Sequence, residues 1–234
     1  MAEVNILAQH GWGFGADCWD DWRDVLPANF TLHCSDRGYF GPVVATVPRR
    51  FQILITHSFG LHMVVPEFVA AAELVVVISG FRHFHAERPS SARRSRRTVE
   101  QMLVRLQDEP EALLVDFHAR CGTGVTGGID RTDGTEDFGG QSRVVDRRRL
   151  YGDLQFLQDS FLDLDSLSGV GRVLLLHGDD DRIVPAERAT DLHRALCNSE
   201  LSVVAAAGHD LPMTHARACW QEIERVWNMR CARR

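Results

Sequence analysis

Lysine is missing from this chain: all 26 basic residues of its 234 are arginine. That usage can follow from genomic base composition alone, so it carries no functional weight. A net basic charge is also missing, since 32 acidic residues leave a formal charge of -6. Affinity for a nucleic-acid backbone comes from neutralising phosphates with a basic surface, so a nucleic-acid binder is excluded as the first expectation, and any basic patch must be local. No apolar run approaches the ~20 residues of a membrane span. The amino terminus "MAEVNILAQHGWG" has no basic segment followed by a long apolar one, and a cytoplasmic protein is expected. The six cysteines, Cys18, Cys34, Cys121, Cys197, Cys219 and Cys231, lack the close pairs of zinc sites and the density of a disulfide scaffold. They read as reduced thiols, mostly buried. No internal repeat is visible.

What the chain does have is a series of short Val-, Ile- and Leu-rich runs that end in glycine, histidine or aspartate: "VNILAQHGWG", "FQILITHSFG", "LVVVISGF" and "RVLLLHGDDD". Such runs suit strands buried on both faces of a parallel sheet. "TLHCSDRGYFG" and "LSVVAAAGHD" are weaker members. Helix-like segments, such as Leu61 to Ala72 and Ala186 to Leu196, lie between them. The alternation predicts one α/β domain, a mostly parallel sheet flanked by helices, with polar residues gathered where the strands end.

The stretch 82–168 breaks this rhythm and is expected to be a helical cap inserted into a core formed by 1–81 and 169–234. Thr98 and Gln101 have capping-box spacing and predict a helix start at Thr98, with Val99, Met102, Leu103 and Leu106 on its apolar face. Leu113, Leu114, Phe117 and Cys121 make a second apolar face, and Leu150, Leu154, Leu157 and Phe161 a third. The glycine-rich stretch from Gly122 to Gly140 predicts a mobile loop or a poorly ordered connection.

The chemistry gathers at the strand ends. "THSFG" places Ser58 at a strand-to-helix crossing, where a nucleophile would project above the sheet and the Phe59 N–H could stabilise an oxyanion. The motif departs from G-x-S-x-G at Thr56, and alone it suits a plain turn serine as well as a nucleophile. "HGWG", His10 to Gly13, supplies a tight loop after the first strand, with the Trp12 N–H as a second donor. Serine needs a base, and the base needs an acid to orient it. "HGDDDRIVP" presents Asp181 in the spacing G-x-x-D-x-x-V-P, and "AAAGHDLPMTH" presents His209. Asp179 and Asp180 read as solvated loop carboxylates, and His215 as part of the next helix start.

Those residues carry a resemblance. Throughout its length the chain resembles the α/β-hydrolases, and in "HGWGFGADCW", "HSFG", "LQFLQDSFLDLDSL", "HGDDDRIVP" and "GHDLPMTH" it is similar to the pimeloyl-[acyl-carrier protein] methyl ester esterases of biotin biosynthesis. The resemblance implies an α/β-hydrolase fold and a cofactor-free serine carboxylesterase. It also implies catalytic roles for Ser58, Asp181 and His209, an oxyanion hole from Trp12 and Phe59, and an acyl-carrier-protein-linked ester as substrate. A monomer is expected. The rival readings are a broad short-chain carboxylesterase or thioesterase of the same fold, and a catalytically silent interaction module.

The remaining chemistry-bearing residues have plainer readings. His83 and His85 lack a third ligand and read as a surface or cap-hinge pair, so no metal is expected. His57 reads as packing at the turn. Phe81, Phe84, Phe117, Tyr151, Phe156 and Phe161 could line an acyl tunnel or form cap core. Arg93, Arg94, Arg96 and Arg97 would ordinarily be a solvated loop, but at the cap entrance of an acidic protein they could bind an acidic carrier. Arg147, Arg148 and Arg149 form a second such group.

Overall fold

The computed structural model describes residues 3–45, 47–122 and 144–231, with residues 230 and 231 described by backbone only. All six apolar runs are strands: β1 (Val4–Gln9), β2 (Phe30–Ser35), β3 (Ile53–His57), β4 (Leu74–Ile78), β5 (Val173–Gly178) and β6 (Ser199–Val204). They form one parallel sheet in the order β2-β1-β3-β4-β5-β6. Every residue of β3, β4 and β5 is buried, whereas the edge strands β2 and β6 are half-buried. The two runs with the weaker apolar pattern are therefore the two edges, which meet solvent along one side.

The helices are α1 (Trp22–Val25), α2 (Gly60–Met63), α3 (Pro66–Ala71), α4 (Pro89–Asp108), α5 (Pro110–Cys121), α6 (Arg147–Asp159), α7 (Asp165–Ser168), α8 (Ala186–Ala195), α9 (Leu211–Thr214) and α10 (Ala216–Cys231). Successive strand residues point to opposite faces. Ile53, Ile55, Val76, Ile78, Leu174 and Leu176 join Trp22, Trp220, Ile223 and Trp227 of α1 and α10 in one core. Leu54, Val75, Val77 and Leu175 join Val69, Leu167 and Leu192 of α3, α7 and α8 in the other. No helix among the described residues is long and apolar enough to cross a membrane.

Two helices depart from the sequence reading for identifiable reasons. The segment Leu61 to Ala72 is broken into α2 and α3, because the residue before a proline is driven to extended backbone. Val65, before Pro66, has φ -67° and ψ 142°. The helix expected to start at Thr98 starts at Pro89, which sits in its first turn where a missing N–H costs nothing. Thr98 lies inside α4 and donates to the Arg94 carbonyl. Arg93, Arg94, Arg96 and Arg97 are thus helical rather than loop residues.

The apolar faces of α5 and α6 are as read, with Leu113, Leu114, Phe117, Cys121, Leu150, Leu154 and Leu157 buried. Phe161 lies beyond the end of α6, is 60% exposed, and carries the Arg82 guanidinium over its ring. Most of the glycine-rich stretch, 123–140, lies outside the described residues. The range 82–168 expected as a cap includes α7, which packs against α3 on the sheet rather than with α4 to α6.

Polar ties fasten α4, α5 and α6 to one another and to the strand ends. His85, fully buried, bonds Ser95 Oγ of α4 at 2.7 Å and Gln158 Oε1 of α6 at 2.9 Å. Asp153 of α6 accepts from Arg37 and from the Tyr39 hydroxyl, the latter at 2.6 Å. Trp12 Nε1–H donates to the Leu150 carbonyl, and His118 Nε2–H to the Gly13 carbonyl. His85→Ala removes two buried bonds of about 1 kcal/mol each and leaves their partners unpaired. Hydrogen exchange should therefore accelerate in α4 and α6 of that variant while β3 and β4 keep the protection of the parent.

Candidate active site

The strand order reverses between β1 and β3, since β2 lies to one side of β1 and β3 to the other. Open α/β sheets bind ligands in the crevice at the carboxyl ends of such strands. Here the loop after β1 meets the turn after β3. A Cβ on Gly11 would stand 2.8 Å from Ser58 Cβ and 3.0 Å from the His57 carbonyl. One on Gly60 would stand 2.7 Å from the Gln9 carbonyl and 2.9 Å from that of His10. Both positions exclude any side chain. Ser58 itself has φ +53°, left-handed backbone that a non-glycine residue adopts only where its surroundings impose it. The elbow holds despite Thr56, which is fully buried within β3.

Three residues from separate strand ends meet above that turn. Ser58 Oγ lies 2.9 Å from His209 Nε2, and His209 Nδ1 lies 2.8 Å from Asp181 Oδ2. With Nδ1–H donating to the carboxylate, Nε2 is left to accept the serine proton. Asp181 Oδ1 accepts the amides of Ile183 and Val184, so the carboxylate is fixed at both oxygens. Burial disfavours its charge, but the adjacent His209, with His177 and the Val184 amide, more than offsets that, and the Asp181 pKa lies below the ordinary carboxylate range. The array is one that can take a proton from a hydroxyl and stabilise the resulting imidazolium.

The supporting residues were only partly legible. His57 packs at the turn as expected, donating Nε2–H to the His209 carbonyl at 2.9 Å. Cys121, at the end of α5, accepts the amides of His209 and Asp210 through its carbonyl. Asp180 is exposed beside Arg182, as a solvated carboxylate. Asp179 does more than the sequence suggested. It accepts the Ala206 amide at 2.7 Å and holds the positive-φ turn that precedes His209. Its signal was three consecutive aspartates, which cannot say which one faces a neighbouring loop. His215 sits between α9 and α10 with Nδ1 near Thr214 Oγ1, away from the triad.

Phe59 follows the serine in the turn after β3, and Trp12 lies in the loop after β1 that approaches that turn. Neither amide is taken by an acceptor among the described residues, and Trp12 shares a cavity with Ser58. That cavity, about 200 Å³, is walled by Val99, Met102, Leu113, Phe117, Leu154 and Leu157 from α4, α5 and α6. Phe84 and Phe117 line it, while Phe81 is buried against Phe59 and His62, Tyr151 is half-buried, and Phe156 and Phe161 are exposed. Arg105, Arg120 and Arg182, which sequence reasoning did not single out, also border it. Only Arg105 offered a clue, three and four residues after Met102 and Gln101 on the same helix.

The two arginine groups do not form one patch. Arg96 reaches the Gln158 carbonyl and Asp159 at the carboxyl end of α6. Arg147, Arg148 and Arg149 occupy its amino end, about 15 to 18 Å away at 1.5 Å per residue. Arg147 is 3.5 Å from Glu111 and Arg149 bonds Asp146, whereas Arg93, Arg94 and Arg97 are exposed on α4. His83 stands 5.4 Å from His85, and no three ligating side chains are grouped to hold a metal among the described residues.

No protein-family model and no curated protein sequence matches the chain. Solved structures do. A thermophilic esterase from Thermogutta terrifontis superposes with TM-score 0.71 at 15% identity, over 97% of this chain and 90% of that one. The esterase EaEST from Exiguobacterium antarcticum gives 0.73 at 13%, over 97% and 92%. A bromoperoxidase from Bacillus anthracis gives 0.69 at 19%, over 98% and 92%. At these identities the likeness is one of fold.

Burial also sets the acid behaviour of the site. Burial, then the nearby His209, pushes His57 down to about 3, and burial pushes His62 down to about 4. In the unfolded chain both take a proton near pH 6.5; in the folded chain neither does until pH is far lower. Their contribution to stability is therefore complete above pH 6.5 and is lost as pH falls towards the folded values. Each adds a slope of about 1.4 kcal/mol per pH unit in that window. Urea unfolding from pH 4.5 to 7 should show stability rising with pH, and His57→Gln and His62→Gln should each flatten the rise.

Proposed function

On the α/β-hydrolase fold that the chain shares with these esterases, we propose that the protein is a serine carboxylesterase. The observation that carries the reading is the continuous chain of hydrogen bonds Ser58, His209, Asp181 at the carboxyl edge of the sheet. Ser58 Oγ attacks the ester carbonyl while His209 Nε2 takes its proton. The oxyanion is received by the Trp12 and Phe59 amides. His209 returns the proton to the departing alcohol, then activates water to release the acid from the acyl-enzyme, while Asp181 holds the tautomer throughout. The apolar cavity over Ser58 suits an acyl chain, and the names of the structural neighbours favour ester substrates over other hydrolase chemistry.

The finer reading is the methyl ester of pimeloyl-acyl carrier protein, freed as carboxylate and methanol. It rests on the motif resemblance and on the exposed arginines of α4. With Arg96 held by Asp159, and Arg147 and Arg149 engaged locally, the residues best able to meet an acidic carrier are Arg93, Arg94 and Arg97.

Ser58→Ala should lower kcat for p-nitrophenyl acetate at least about 10³-fold and abolish labelling by a fluorophosphonate, with the circular dichroism of the parent. Asp181→Asn should cost about 10⁴-fold and Asp180→Asn leave turnover near the parent, because only Asp181 touches His209. Retention of labelling in Ser58→Ala, or greater sensitivity at Asp180, would overturn the assignment.

The carrier reading is tested separately. Reversal of Arg93, Arg94 and Arg97 to glutamate should cut kcat/KM for the carrier-bound methyl ester while sparing p-nitrophenyl acetate. The advantage of the parent on the carrier substrate should shrink as salt shortens the Debye length below ~8 Å. Equal loss on both substrates would instead assign these arginines to the packing of α4.

A further inference from the structure

A second cavity, of about 290 Å³, shares no lining residue with the one above Ser58. It lies where the chain leaves the sheet for α4 and returns from α6. His83 bridges Phe161 there, and the Leu162 amide donates to the Arg82 carbonyl. The opposite wall is α8, which contributes Arg188 and Arg194. Three arginines, one from the loop after β4 and two from α8, thus line one space in a protein whose net charge is negative.

Two of them have no carboxylate partner among the described residues. The Arg82 guanidinium stacks 4.4 Å over the Phe161 ring, which fixes its plane, and its Nε is buried without an acceptor. Arg194 is exposed in the last turn of α8. Arg188 is anchored at 2.8 Å by Asp191, and Glu87 is an exposed acid among the lining residues. His85 is already held on both ring nitrogens by Ser95 and Gln158. Burial pushes His83 below its ordinary range, and the charges of Arg96 and Arg188 push it the same way against a bond to His85. The lining thus sets three arginines against two acids, Glu87 and Asp191, and the balance of charge is positive.

We propose that this pocket is an anion site for a phosphoryl group, gripped by Arg82 and Arg194 with Arg188 behind them. A carboxylate is matched by a single guanidinium fork, whereas a phosphoryl group offers three oxygens to donors arriving from different directions. The volume leaves room for the organic part of a small phosphate monoester. An occupant would tie the entry and exit of the α4 to α6 insertion to α8, and so to the sheet.

Calorimetric titration of the full chain with inorganic phosphate, O-phosphoserine and acetate at constant ionic strength tests the proposal. Phosphate or phosphoserine should saturate with a Kd of about 1 mM or tighter. The tighter of the two identifies free phosphate or a monoester as the source. Arg194→Gln, an exposed replacement that leaves the core intact, should weaken binding about tenfold, and Arg82→Gln at least as much. Arg93→Gln, on α4 and outside the pocket, should change nothing. Bound phosphate should also slow hydrogen exchange at 82–87 and 161–162. Absence of saturation up to about 10 mM, acetate binding as tight as phosphate, or equal weakening by Arg93→Gln would overturn the proposal.

Discussion

The site depends on two stretches of backbone lying closer than any side chain permits. Gly60 faces the Gln9 and His10 carbonyls, and Gly11 faces Ser58, each within about the distance at which a Cβ would overlap. That approach lets the β1 loop and the β3 turn share one crevice, with Trp12 lining the same cavity as Ser58. The same device recurs across the sheet, where a Cβ on Gly178 would fall 2.2 Å from the Ala207 carbonyl and one on Gly208 2.5 Å from that of Cys121. Three non-glycine residues with positive φ, Ser58, Ser79 and Ala206, stand just beyond β3, β4 and β6. Tight turning is thus concentrated along the carboxyl edge from which Ser58, Asp181 and His209 converge, and the buried parallel strands lie directly beneath it.

The insertion completes what the edge begins. Its helices are tied to the loops that carry the site by Trp12 to Leu150, His118 to Gly13, and the Cys121 carbonyl to His209 and Asp210. Through the last of these, the end of α5 positions the backbone of His209 itself. His209 and Asp181 are themselves buried, and electrostatic interactions gain strength in that lower dielectric. Neutral His57 fits that setting: buried and donating to the His209 carbonyl, it adds support without a competing positive charge beside the base.

Most of the sheet and the triad were legible because their constraints are local or ordered along the chain. A strand buried on both faces needs a continuous apolar run, and the partial burial of β2 and β6 explains why their runs read as weaker. Ser58, Asp181 and His209 each sit at the end of such a run, so their order in sequence implied their meeting in space. The beginning of α4 was not legible because the Thr98–Gln101 capping-box spacing overshadowed a different start signal, the first-turn Pro89, and the split at Pro66 was hidden by apolar residues on both sides. The Arg37–Tyr39–Asp153 network and the Asp179 bond to Ala206 join residues distant in sequence whose pairing no periodicity encodes. Nor could charge runs reveal that α6 places its neighbouring arginine groups at opposite ends.

That distribution of arginine bears on how one fold can serve several anionic contacts without interference. The exposed positions on α4, the side chains bordering the Ser58 cavity and the pocket beside α8 are separate neighbourhoods, and the carboxylates Asp159, Asp116 and Asp191 hold one member of each, Arg96, Arg105 and Arg188, in a fixed pair. Guanidinium groups keep their charge when half-buried and present several donors in one plane, so each can satisfy a local carboxylate and still face outward. Against a net charge of -6, the unpaired remainder forms discrete positive spots rather than a continuous basic face. Screening over ~8 Å at physiological ionic strength keeps such spots largely independent, so the charge that would receive a partner on α4 need not perturb the neutral, buried chemistry around Ser58.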